Sequence, residues 1–124
     1  MSVIEQSKLA IIGAGAVGTS LAYAAMIRES AREIALYDIR TEKVAGEVLD
    51  LAHGSQFTGV SRIQGSDDLD VVQGSNVVVI TAGVPRKPGM SRDDLLGIKL
   101  KVMEQVGSGL TKYAPNAFVI CITN

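Results

Sequence analysis

KLAIIGAGAVGTSLAYAAMIRESAREIALYD, residues 8–38, decides the fold. An apolar run at residues 9–12 leads into Gly13, Gly15 and Gly18 in Gly-X-Gly-X-X-Gly spacing. A helical stretch over 16–29 follows, then a second apolar run at 34–37 that ends on Asp38. Three glycines alone are weak, but here each has a distinct task. Gly13 permits a sharp turn out of the first strand, Gly15 permits close approach of a pyrophosphate, and Gly18 permits tight packing of the helix on the sheet. The helix opening near Ala16 and Val17 presents unpaired N–H groups and its positive dipole end to phosphate charge. Asp38, twenty residues after Gly18, is placed to accept from a ribose 2′-hydroxyl and to repel a 2′-phosphate, so the expected cofactor is NAD rather than NADP. Arg40 runs against that preference. The competing reading is a glycine-rich turn that binds no nucleotide, with Asp38 capping the next helix.

The rest of the chain continues the alternation of strand and helix. Strands are expected at 60–64, 77–80 and 118–122, and helices at 41–52 and 91–113. Val77, Val78, Val79 and Ile80 are continuously apolar, which predicts an interior parallel strand covered on both faces. The helix over 16–29 is apolar on several sides and is expected to be well buried. In the helix over 41–52, Val44, Val48, Leu51 and Ala52 share one face, Glu42, Lys43 and Glu47 lie outside it, Thr41 is a candidate cap and Gly54 ends it. Residues 73–76 make a polar turn, residues 81–88 a Gly- and Pro-rich loop, and Gly97, Gly107 and Gly109 are candidate sites for a break in the last helix before Pro115 and Asn116 stop it. Right-handed crossovers then give a Rossmann-type doubly wound parallel sheet of order 3-2-1-4-5, without the usual sixth strand.

Composition narrows the function. By length the 124 residues make one domain, 1–124, either a folding unit of its own or part of a larger one. A formal net charge of -1 offers no basic field for nucleic acid or an anionic membrane, and no apolar run is long enough to span a bilayer. The expectation is therefore a cytoplasmic setting with no nucleic-acid or membrane partner. Cys121, the single cysteine, forms no internal disulfide and reads as a buried small hydrophobe.

GAGAVG with Asp38, EVLDLAHG at 47–54, VVVITAGVPRKPGMSRDDLL at 77–96 and ITN at 122–124 together resemble the amino-terminal half of the lactate/malate dehydrogenase family. The resemblance implies an NAD-dependent oxidoreductase acting on a small 2-hydroxy or 2-oxo acid. It puts Arg92 where the substrate's reacting carbonyl is polarised and Arg86 where malate-type members hold the distal carboxylate of a dicarboxylic acid. Asn124 then contacts substrate and cofactor, Ile122 and Thr123 line the nicotinamide side, and Ala82 and Gly83 pass under the cofactor, with Val17 and Lys43 as lesser contacts. Arg suits both substrate roles, because its fork pairs bidentately with a carboxylate and its fixed charge stabilises a developing oxyanion. Read from the residues alone, solvated loop charges are an equally good reading of Arg86, Lys87 and Arg92. Lys99 stands where malate-type members carry Asn, and EVLDLAHGSQF is more lactate-like, so L-lactate dehydrogenase is the alternative. His53 matches neither the family's catalytic histidine nor its orienting aspartate and reads as a helix-end residue. Asp93 and Asp94 read as first-turn acids. The proton-relay histidine, its aspartate and the second substrate arginine have no counterpart in these residues, which leaves a stand-alone NAD-binding fragment without catalysis as a further alternative. The expected partners are a homo-oligomer mate or a complementary carboxy-terminal half.

Overall fold

The computed structural model describes residues 7–28, 30–40, 42, 45–46, 62–81 and 88–122. Their element order is β1 (Lys8–Ile12), α1 (Ala16–Ile27), β2 (Glu33–Tyr37), β3 (Arg62–Ser66), a 3-10 turn (Leu69–Val72), β4 (Val77–Ile80), α2 (Arg92–Tyr113) and β5 (Phe118–Cys121). Residues 42, 45 and 46 are helical, inside the helix expected over 41–52; the proposed cap Thr41, His53 and Gly54 lie outside the described residues. The five strands form one parallel sheet of order β3-β2-β1-β4-β5, the doubly wound order read from the sequence.

The apolar continuity of the strands is explained by two cores, one on each face of the sheet. Ala10, Ile12, Ala35, Val78 and Ile80 meet Val72 of the 3-10 turn and Val106, Leu110 and Ala114 at the α2 side. Ile11, Ile34 and Leu36 meet Ala14 and the Ala22, Ala25 and Met26 stripe of α1 on the other. Alternation along β1 thus sends Ile11 and Ile12 to opposite cores. The turn before β4 is fastened to the sheet by Lys8, whose N–H donates to Asn76 Oδ1 at 2.8 Å and whose Nζ donates to the Gln73 carbonyl at 2.8 Å.

Several expectations are corrected. The α1 helix buries one stripe only: Val17, Tyr23 and Ile27 are 59%, 52% and 54% exposed. Small residues at 18, 22 and 25 bring the helix close along that line and leave the opposite apolar side uncovered. The third strand is Arg62–Ser66, ending two residues beyond the expected 64; RIQGS carries almost no apolar signal because β3 is a sheet edge with, among the described residues, only Ile63 packed on a core. Cys121 is exposed rather than buried, since β5 is the other edge and its four residues are all exposed. Finally, α2 runs unbroken through Gly97, Gly107 and Gly109. At Gly109 the missing side chain serves packing, because a Cβ there would sit 2.6 Å from Leu69 Cδ1.

Candidate dinucleotide site

At the carboxyl end of β1 the chain turns through Gly13, whose φ of 115° favours glycine. The Gly13 N–H donates to the Tyr37 carbonyl at 2.7 Å, and Thr81 at the end of β4 donates its hydroxyl toward the Ile12 and Gly13 carbonyls at 3.2 and 3.1 Å. The turn is thus tied to both neighbouring strands. Gly18, buried in the first turn of α1, faces that same carbonyl: a Cβ built there would collide with Gly13 O and lie 2.8 Å from Thr81 Oγ1. Gly15, the N-cap of α1, is the opposite case. Among the described residues a Cβ there would meet nothing within 4 Å, so its bareness keeps a space open above the helix N-terminus rather than relieving crowding in the fold. An anionic group fits that space, since the first-turn N–H groups of α1 point out of the helix and no acidic residue occupies its first turn.

Asp38 leaves the adjacent end of β2 and is buried, 6% exposed. Its Oδ2 accepts from the Ala14 N–H at 2.9 Å, which locks the glycine turn to the carboxylate, and its Oδ1 accepts from the Arg40 N–H at 2.9 Å. The Arg40 guanidinium closes on both oxygens, Nε to Oδ1 at 3.0 Å and Nη2 to Oδ2 at 3.0 Å. Burial alone raises the Asp38 carboxyl, but the side-chain and backbone hydrogen bonds from Arg40, the Ala14 N–H and the Arg40 charge outweigh it and hold the group down to about 2. The carboxylate is therefore ionised at any physiological pH and is a fixed acceptor at the sheet's carboxyl edge.

The structure brings Gly13, Gly15, Ala16, Val17, Gly18 and Asp38 to one end of the sheet, with Ile122 alongside, its N–H donating to the Ile80 carbonyl at 2.9 Å beyond β5. Arg92 lies exposed in the first turn of α2. Lys43, Ala82, Gly83, Arg86, Lys87, Thr123 and Asn124 fall outside the described residues. Asp93 and Asp94 are first-turn acids as read: the Asp94 N–H donates to Ser91 Oγ at 3.0 Å and the Ser91 N–H to Asp94 Oδ2 at 3.2 Å, a capping box. Three contributors escaped the sequence reading: Ala14 and Thr81, which hold the turn through a backbone N–H and a hydroxyl, and the full extent of the Arg40 fork. Only the Asp-X-Arg spacing carried a signal for any of them. No group of three or more acidic, His or Cys side chains suited to a metal occurs among the described residues, and no helix there is long and apolar enough to cross a membrane.

Comparison with known proteins agrees with this geometry. Residues 7–124 match the family model for the lactate/malate dehydrogenase NAD-binding domain. Among solved structures, the chain is 42% identical to the malate dehydrogenase of Cryptosporidium parvum, covering 96% of this chain and 38% of that one, with a TM-score of 0.84. It is 39% identical to the lactate dehydrogenase of Cryptosporidium parvum complexed with lactic acid and nicotinamide adenine dinucleotide, covering 98% of this chain and 38% of that one, with a TM-score of 0.86. It is 35% identical to the malate dehydrogenase of Archaeoglobus fulgidus in complex with NADH, covering 94% of this chain and 40% of that one, with a TM-score of 0.87. The chain thus spans well under half the length of these relatives, and with its glycine turn, buried acid and strand order it belongs to the lactate/malate dehydrogenase family, as that family's NAD-binding domain.

Proposed function

We propose that this chain is the cofactor-binding part of an NAD-dependent malate dehydrogenase, interconverting malate and oxaloacetate. The observation that carries the NAD reading is the ionised Asp38 carboxylate, hydrogen-bonded to the Ala14 N–H inside the glycine turn. Acid and phosphate cradle are thereby built as one unit. The cofactor, when bound, supplies hydride transfer at its nicotinamide; the residues of this chain bind and orient. The Gly13–Gly18 turn and the α1 N-terminus hold the pyrophosphate, and Asp38 takes the adenosine ribose. Arg92 stabilises negative charge on the substrate's carbonyl oxygen. Its position supports that role, since a cation in the first turn of a helix opposes the helix dipole at a cost of about 0.3–1 kcal/mol, so it does not serve the helix.

The dicarboxylic substrate rests on Arg86, whose charge matches a second carboxylate. In the full-length protein, Arg86→Gln lowers kcat/KM for oxaloacetate by two to three orders of magnitude, on the order of 3–4 kcal/mol for one desolvated charge pair, and spares pyruvate. An unchanged ratio between the two substrates would return the choice to lactate. A partner for β5 is also proposed, either a second copy or a complementary carboxy-terminal segment. β5 is the last strand of the sheet order, with Phe118, Val119 and Ile120 69%, 44% and 41% exposed, and such an edge is a template for another strand.

A further inference from the structure

Asp38 has no acceptor site to spare. An ionised carboxylate offers about four lone-pair positions, and the Ala14 N–H, the Arg40 N–H, Arg40 Nε and Arg40 Nη2 engage four. The two backbone donors are fixed by the turn and by the chain leaving β2. The two guanidinium bonds are not: the Arg40 side chain is 59% exposed, against 7% for Asp38, so the fork can open toward water. A ribose hydroxyl reaches Asp38 only in place of that fork.

We propose that Arg40 is a movable counter-ion that sets the cofactor selectivity of this chain: it competes with the ribose hydroxyls of NAD for Asp38, and when displaced it meets the 2′-phosphate of NADP. This rests on the dinucleotide site proposed above. The physical reason is charge. A lone buried carboxylate repels a 2′-phosphate, whereas the Asp38–Arg40 pair is neutral as a whole, and the guanidinium fork that spans two carboxylate oxygens also fits two phosphate oxygens. With Arg40 present, NAD binding gives up a charge-assisted contact and NADP binding gains one. The gap between the two cofactors is narrower than Asp38 alone would impose.

Calorimetric titration of the purified chain with NAD, NADP, 5′-AMP and 2′-AMP tests this without any turnover, and the two monophosphates isolate the ribose end. Arg40→Leu is expected to tighten NAD by about 2- to 10-fold, the worth of one displaced hydrogen bond, and to weaken NADP about tenfold or more, as for a lost contact to a charged group. Arg40→Lys, which keeps the charge without the fork, falls between. An NADP-to-NAD affinity ratio that stays within about twofold of wild type in both variants overturns the proposal, and so does weaker NAD binding by Arg40→Leu, which would make Arg40 an NAD ligand. Loss of folded circular dichroism in both variants also overturns it, by making Arg40 structural. Failure of the site itself is distinguishable, because wild type would then bind neither dinucleotide.

Discussion

Gly18 and Gly15, three residues apart, separate the requirements of the fold from those of the ligand. In Gly18→Ala the new methyl is driven into the Gly13 carbonyl and lies 2.8 Å from Thr81 Oγ1. The first of these is backbone with no rotamer to yield, so α1 must retreat from the turn. Overpacking of this kind costs about 1–3 kcal/mol, and the hard backbone contact places it in the upper half of that range. Exchanging Gly for Ala inside a helix returns about 1 kcal/mol. The net loss is about 1–2 kcal/mol, or roughly 3–12 °C in Tm for a domain of this size. In Gly15→Ala the methyl meets nothing within 4 Å among the described residues, so Tm moves only by the small preference of Gly over Ala at an N-cap. The same methyl occupies the space assigned to the pyrophosphate, and NAD affinity falls at least tenfold. Differential scanning calorimetry and NAD titration of both variants give the crossed pattern. A Gly15→Ala chain that binds NAD as wild type does, or a Gly18→Ala chain that melts with wild type, would refute the reasoning from close approach.

Three other perturbations are decided by local geometry. Asp38, held at about 2 against an ordinary 3.8, favours the folded chain above about pH 4, and that contribution fades as pH falls toward 2. The difference corresponds to about 2.4 kcal/mol at about 1.36 kcal/mol per pH unit, and screening of the exposed Arg40 partner reduces it to about 1 kcal/mol; Asp38→Asn flattens the acid limb of a denaturation profile by that amount. Ser91→Ala removes one half of the capping box at α2 and lowers stability by about 1 kcal/mol, read as a shift in urea midpoint at unchanged slope. Arg92→Ala leaves Tm unchanged or slightly raised, since the residue opposes the α2 dipole, while depressing turnover of the full-length protein on oxaloacetate; a clear fall in Tm would make Arg92 structural.

The parts of this molecule legible in its sequence are those where backbone geometry forces residue choice. Gly13 needs positive φ, Gly18 needs the absence of a Cβ, and strands covered on both faces, such as β4, must be apolar throughout. Strand order followed because parallel crossovers have one favoured hand. The carboxyl end of β3 was not legible, since an edge strand needs little apolar pattern to stay paired. The exposure of Cys121 was hidden for the converse reason: FVIC looks like an interior strand, and only its edge position in the sheet leaves it open. Arg40 was visible as a charge near Asp38, but the sequence does not tell a side chain that bridges both carboxylate oxygens from one extended into solvent.

The strands are not only parallel but flush. Ile12 sits opposite both Tyr37 and Ile80, and Ile80 opposite Cys121, so four carboxyl ends lie on one line across the sheet. With about 4.8 Å between neighbouring strands, the three steps from β2 to β5 measure roughly 14 Å from Asp38 to Ile122. The sheet is a ruler laid under an extended ligand, graduated by hydrogen bonds rather than by loops. Lengthening a crossover leaves the graduations where they are. Slipping one strand by a single residue moves its end by about 3.3 Å and turns its core side chains to the wrong face, so the spacing of the binding groups is protected by the same packing that keeps the chain folded.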